Sequence, residues 1–253
     1  MNSHPDYGYP WWLTYGHLVV LAATVAVWAI ARWLRWPRPL VIVLAAVALW
    51  SAAAFLVVRF ALNVNGPMAL PTARFIESGA GRVLDIGAGT GRSTVMVLEA
   101  RPHVTAVALD LFGESFDQHF GKGISAVERL RANLRAAGVE ARATIQPGDM
   151  RRLPFEPATF DAVVSSYAMD HVRRDDSRLA IREAARVLKP GGDFLLMVLA
   201  KDVWLNATFG PMLLHSGTRD AAWWSEALQS AGFTVAESGT RPATLYFVGR
   251  KRG

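Results

Sequence analysis

Val83-Leu84-Asp85-Ile86-Gly87-Ala88-Gly89-Thr90-Gly91-Arg92 is the stretch that decides the fold. A short apolar strand, Arg82–Ile86, runs into three glycines at alternate positions, and a helix follows. Glycines there permit a tight turn and let a ligand approach bare backbone at a helix N-terminus. A dinucleotide fingerprint, G-x-G-x-x-G, would need glycine where Arg92 stands, and no Gly-Lys-Ser/Thr follows to make a P-loop. Asp85, two residues before the first glycine, would repel a pyrophosphate and suits a ligand carrying an ammonium group. Taken alone, the segment is also compatible with a plain strand–turn–helix junction.

Outward from this loop the chain alternates strand and helix. Val104–Leu109 reads as a second strand, and Ile124–Ala137 as an amphipathic helix with Val127, Leu130, Leu134 and Ala137 on one face. Ala143–Gln146, Phe160–Ser165 and Phe194–Leu199 are further strands, with Ala180–Leu188 and Ala221–Ala231 as helices. Two closing runs, Thr234–Glu237 and Thr244–Val248, are joined too closely to be parallel neighbours. Strands separated by helices imply an α/β architecture with a mostly parallel sheet covered on both faces.

Upstream, two apolar runs stand apart. Trp11–Ala31 has only His17 ionisable, and Leu40–Val58 carries no charge. As helices they would be about 31 and 28 Å long, near the ~30 Å hydrocarbon core of a bilayer. Tyr7, Tyr9, Trp11, Trp12 and Tyr15 collect at the start of the first run, and Trp33 and Trp36 follow it, as interfacial rings do. The polar, proline-broken segment Arg32–Pro39 suits a hairpin turn. Helices apolar all round would need a much larger protein to bury them. Residues 1–62 are therefore read as a transmembrane hairpin and residues 63–74, with Gly66-Pro67 and Pro71, as a linker.

Composition supports this division. The first 62 residues hold Arg32, Arg35, Arg38 and Arg59 against Asp6 alone, while the remainder has basic and acidic groups in near balance. The net charge of +6 is spread without a basic cluster, so a nucleic-acid partner is not expected. Cysteine is absent, which excludes disulfides, thiolate metal sites and a cysteine nucleophile. No metal site is expected.

Three later features join the glycine loop. Asp110 ends the second strand, where an acid commonly takes ribose hydroxyls. Gly148-Asp149-Met150 follows the third strand, and Leu188-Lys189-Pro190-Gly191-Gly192 precedes the fifth. In this order the motifs of residues 82–200 resemble the class I S-adenosylmethionine-dependent methyltransferases, over roughly residues 75–250. The resemblance implies a Rossmann-like sheet of seven strands with the last antiparallel, in a domain covering residues 75–253. It implies S-adenosylmethionine as cofactor, with Asp85, Gly87, Gly89 and Gly91 at the methionine part, Asp110 at the ribose, and Asp149 with Met150 at the adenine.

Methyl transfer is an in-line displacement, so holding the acceptor does much of the work, and a base is needed only for an acceptor that loses a proton. Tyr167, Asp170 and His171, beyond the fourth strand, are the polar groups read as catalytic, His171 as base. The plainer reading is a helix-capping Asp beside a surface histidine. Asp117, His119 and His215 fall in two atypical stretches, Leu111–Lys122 and Leu205–Thr218, expected to cover the pocket; Trp223 and Trp224 read as helix packing. The loop arginines would put the hairpin turn in the cytoplasm. The cofactor is cytoplasmic, and that requirement outweighs a charge bias, so a multi-pass cell-membrane protein with its catalytic domain in the cytoplasm is expected. The short chain between Val58 and Asp85 leaves the linker and the membrane surface to cap the cofactor. The leading expectation is methylation of a lipophilic small molecule: a quinone precursor, a phospholipid amine or an isoprenoid. The alternatives are a diffusible acceptor such as a thiol, with the hairpin as anchor or homodimer contact, and a non-catalytic sensor or scaffold.

Overall fold

The computed structural model describes residues 4–113, 125–210 and 219–253. Helix α1 (Trp11–Trp33) and helix α2 (Arg38–Leu56) pack as a hairpin. Their turn closes through the Trp36 amide, which donates to the Ala31 carbonyl at 2.9 Å, and Pro39 stands in the first turn of α2, where its missing N–H costs nothing. Small side chains, Ala31, Ser51 and Ala54, are the ones buried along the two helices. The large ones face outward: Leu49 is 73% exposed and Trp33 80%. By length and composition both helices could cross a membrane. Helix α2 runs on into a π-helical turn, Val57–Leu62, and the chain leaves it through Asn63 in a left-handed conformation (φ 44°).

Seven strands form one sheet: β1 (Ala80–Ile86), β2 (His103–Asp110), β3 (Ala143–Pro147), β4 (Phe160–Ser166), β5 (Leu188–Leu199), β6 (Phe233–Arg241) and β7 (Thr244–Lys251). Their order is β3-β2-β1-β4-β5-β7-β6. The first five pair in parallel, and β7 is antiparallel to both β5 and β6. Alternation along β1 sends Leu84 and Ile86 to one face and Val83 to the other. Helices α5 (Arg174–Val187) and α7 (Ala221–Ser230) cover the first face through Ile181, Ala184, Trp224 and Leu228. Helices α3 (Arg92–Ala100) and α4 (Ala126–Ala136) cover the second through Val95, Leu98, Leu130 and Leu134, joined there by Phe75 of the linker.

Three elements depart from expectation. Helix α5 starts at Arg174 rather than Ala180, because its first turn is polar; Asp175 and Asp176 there favour the positive end of the helix dipole. Strand β5 starts at Leu188, through Pro190 and the glycine pair, with an irregular register opposite Phe160–Ala162. A short helix, α6 (Val203–Phe209), lies where only an atypical stretch was read, capped by Asp202, whose Oδ1 accepts the Leu205 amide at 2.9 Å. Ahead of α1 the chain folds back on the sheet domain, and Tyr7 is 1% exposed. That overturns its reading as a membrane-interface ring.

Candidate active site

The strand order reverses between β1 and β4, and ligands of open α/β sheets bind beyond the carboxyl ends of the strands at such a switch point. There the Gly87 and Ala88 amides donate to the Leu109 carbonyl at 2.8 and 3.0 Å, fastening the turn to β2. The Gly89 amide donates to Asp110 Oδ2 at 2.8 Å. Asp110 is thus aimed by the loop it serves, with acceptor capacity left over. Gly87 and Gly91 have φ of +75° and +88°, and a Cβ on either would meet protein, Ala168 Cβ at 2.2 Å or Leu130 Cδ1 at 2.3 Å. Those two glycines serve turn geometry and close packing.

Asp85 is fully buried beneath the loop. The Ser93 and Thr94 hydroxyls donate to its Oδ2 at 2.7 and 2.6 Å, while Oδ1 is buried with no partner among the described residues. Burial pushes its carboxyl up to about 6, the two hydroxyls pull against that, and the Asp110 charge adds to the rise. Met150 packs against the core and comes within 3.8 Å of the Gly87 Cβ position. Asp149 turns to Arg151, whose guanidinium reaches both carboxylate oxygens at 2.7–3.0 Å and holds the acid below its usual range.

Beyond β4, Tyr167 sits at φ +51°, uncommon for a side chain of that size, and its hydroxyl shares a hydrogen bond with Thr244 on β7. Burial raises its pKa. Asp170 Oδ2 accepts the Leu199 amide at 3.0 Å, and Oδ1 is buried with no partner among the described residues. Asp170 therefore braces the end of β5 and does not cap α5, whose N-cap is Arg173. His171 stands one residue on, at an exposed position of the same turn. Trp224 is fully buried, as helix packing requires. Asp117, His119 and His215 lie outside the described residues.

Two arginines at this edge had no signal in the local pattern. Arg219, mostly buried, donates to the carbonyls of Met169 and Val172 and stacks over Trp223 and Trp224 at 4.9 and 5.1 Å. Arg92, read only as a residue that was not glycine, donates Nε to the Gly66 carbonyl at 2.9 Å and Nη2 to the Asn63 carbonyl at 2.8 Å. Both acceptors lie in or beside the linker, and a cavity of about 220 Å³ opens there, lined by Thr14, Tyr15, Arg59 and residues 63–66.

This sheet order, with a glycine turn and an acid at the end of β2, is the Rossmann-like α/β fold of the class I methyltransferases. Residues 83–192 match the family model described as a methyltransferase domain. Over 117 residues it is 36% identical to the ubiquinone/menaquinone biosynthesis C-methyltransferase UbiE of Rhizobium leguminosarum, covering 46% of this chain and 40% of that one. It is 37% identical over 117 residues to the uncharacterized methyltransferase YcgJ of Bacillus subtilis, with the same shares covered. The chain thus spans about 40% of the length of these curated relatives. An O-methyltransferase family protein from Burkholderia thailandensis superposes with a TM-score of 0.58 at 18% identity, over 83% of this chain and 60% of that one, a likeness of fold.

Proposed function

We propose that the protein is a membrane-anchored S-adenosylmethionine-dependent methyltransferase whose acceptor is a lipophilic small molecule: a quinone precursor, a phospholipid amine or an isoprenoid. One observation carries the reading. The apolar hairpin packs against α6, the helix that follows β5 at the carboxyl end of the sheet. Trp50 of α2 donates its indole N–H to the Ala207 carbonyl of α6 at 2.7 Å, and the His17 ring lies 5.2 Å from Trp50 and 5.8 Å from Phe209. The apolar surface continues from the foot of the hairpin, where Phe60 is 70% exposed, onto α6, where Val203 is 72% exposed. Asp202, the cap of α6, also accepts the Ala243 amide at 2.7 Å, one residue from the Thr244 that holds Tyr167. An exposed apolar hairpin of this size needs lipid or a partner to cover it. The name of the UbiE relatives supports a quinone-like acceptor.

The residues present fit the cofactor. The unpartnered, buried Asp85 Oδ1 suits a cationic group, and Asp110 keeps free lone pairs for ribose hydroxyls. Met150, packed beside the glycine turn, offers the adenine an apolar surface, and Asp149, though paired with Arg151, keeps acceptor capacity for it. When bound, the cofactor supplies an electrophilic methyl group. Asp170 Oδ1 accepts a hydrogen bond or a proton from the acceptor, and Tyr167, locked to Thr244, fixes the acceptor's approach. His171 serves as base only for an acceptor that reaches the exposed turn.

The test is to incubate the full-length protein with radiolabelled S-adenosylmethionine and a total membrane lipid extract. Label in the organic phase supports the proposal. Label confined to water-soluble products would move the acceptor to the diffusible class. Orientation is checked separately. Protease should digest residues 63–253 in sealed inverted vesicles and spare them in intact cells; the opposite pattern would leave the domain without cytoplasmic cofactor.

Two further outcomes follow from the acids. Asp110→Ala removes a charged acceptor and should weaken S-adenosylmethionine binding by about 1.5–3 kcal/mol. Unchanged affinity in calorimetry would take Asp110 out of the site. Asp85 titrates near 6 in the folded chain, above its ordinary carboxylate range. Its contribution to stability is therefore full at low pH and is lost as pH rises through about 6. Binding of a cation beside Oδ1 has the opposite sense, because it favours the ionised acid. Affinity for S-adenosylmethionine should rise between pH 5 and 7, and Asp85→Asn should flatten that rise. A flat wild-type profile would count against Asp85 as the cation's partner.

A further inference from the structure

The glycine loop is tied to a segment that belongs to neither the sheet nor its covering helices. Asn133, buried on α4, donates Nδ2 to the Thr90 carbonyl of the loop at 2.9 Å and accepts the Asp6 amide on Oδ1 at 2.8 Å. Asp6 also pairs with Arg129 at 3.4 Å. Gly8, at φ +75°, lies so close to Arg129 that a Cβ would meet its Nη1 at 2.8 Å. Two residues past Thr90, the Arg92 guanidinium sits 6.0 Å from the centre of the Tyr7 ring and hydrogen-bonds the Tyr9 side chain. The same guanidinium holds the Gly66 and Asn63 carbonyls. One side chain at the start of α3 therefore clasps the approach to the membrane hairpin and the exit from it. Tyr9, Arg92 and Asp170 all act electrostatically on Tyr167, so the clasp reaches the acceptor side as well.

We propose that residues 6–9 form the closing wall of the cofactor site and that Arg92 is the positioning residue that holds this wall and residues 63–66 against the glycine loop. The inference rests on the methyltransferase reading and adds to it a gate: the wall must loosen for cofactor to exchange, and it is continuous with α1. A guanidinium suits the task because its planar fork presents donors in several directions at once. A lysine ammonium is a point charge on a flexible stem. Asp6 anchors the wall to α4 through Asn133 and Arg129, and Arg92 joins it to residues 63–66.

The test uses the full-length protein in lipid nanodiscs. Hydrogen exchange is followed over residues 4–10 and 63–66, without ligand and with S-adenosylhomocysteine, and the release rate of that ligand is measured. Arg92→Gln should speed exchange in both segments about tenfold or more while β1 and β4 keep their protection, and should speed ligand release by a similar factor. Arg92→Lys should restore little of either. Gly8→Val, which pushes the wall off Arg129 without touching Arg92, should move both readouts in the same direction and serves if Arg92 variants misfold. Unchanged exchange over residues 4–10 in Arg92→Gln and Gly8→Val would overturn the clasp. Faster exchange with unchanged ligand release would overturn the wall. A wild-type protein that binds no S-adenosylhomocysteine would sink the methyltransferase reading instead, while the ligand-free exchange comparison would still decide the clasp.

Discussion

Gly87→Val should abolish S-adenosylmethionine binding and lower the thermal midpoint more than any other single change in the glycine loop. Two costs add at this position. The backbone is left-handed, φ +75°, where a β-branched residue is strained by about 1–3 kcal/mol. The new Cβ would also stand 2.2 Å from Ala168 Cβ, and relieving that overlap costs about 1–3 kcal/mol more. Relief requires Ala168 to retreat, which pulls Tyr167 and the turn before Asp170 away from the loop. Gly79→Ala separates the two effects, because Gly79 is also left-handed (φ +72°) but its Cβ would meet nothing within 4 Å. It should lose stability modestly and keep its ligand affinity. A Gly87→Val protein that binds S-adenosylmethionine as well as the wild type would show that the β1–β4 contact is dispensable.

Asp170→Asn should cut turnover of the lipid-extract acceptor about 10²–10⁴-fold, the range for a lost proton-accepting group, with little change in melting or cofactor affinity. The asparagine oxygen can still accept the Leu199 amide, so the brace on β5 survives. What disappears is the negative, acceptor-only character of Oδ1, the oxygen without a partner among the described residues. His171→Ala distinguishes the neighbouring candidate. If that variant loses turnover and Asp170→Asn does not, the base stands on the exposed turn and the acceptor binds there.

Much of this architecture was legible because it is local. The run from Val83 to Arg92 carries strand, turn and helix start within ten residues, and the positions of Asp110 at the end of β2 and Met150 after β3 follow from the same strand pattern. Helix α5 was read six residues short because its opening, Arg174-Asp175-Asp176, has no apolar periodicity; its helical character comes from acids at the dipole's positive end. Pro190 and its two glycines looked like a turn, yet β5 runs through them where the register beside Phe160 is already irregular. Tyr7 and Tyr9 stand beside Trp11 and Trp12, so their neighbours gave them the appearance of interface rings. Tyr7 is buried against Arg92, far away in sequence, and no local pattern carries such a contact. The same holds for Arg219, whose acceptors are the carbonyls of Met169 and Val172.

The bond from the Asp6 amide to Asn133 spans 127 residues. Ribosomes add about 5–20 residues per second, so roughly 6–25 s pass between the synthesis of Asp6 and that of its partner. Both apolar helices are complete long before Asn133 exists. In the nascent chain the two helices can therefore be laid down first, with residues 6–9 loose, and the wall closes only after α4 has emerged. A ribosome stalled ahead of Asn133 would hold a protein with its hairpin finished and its site still open.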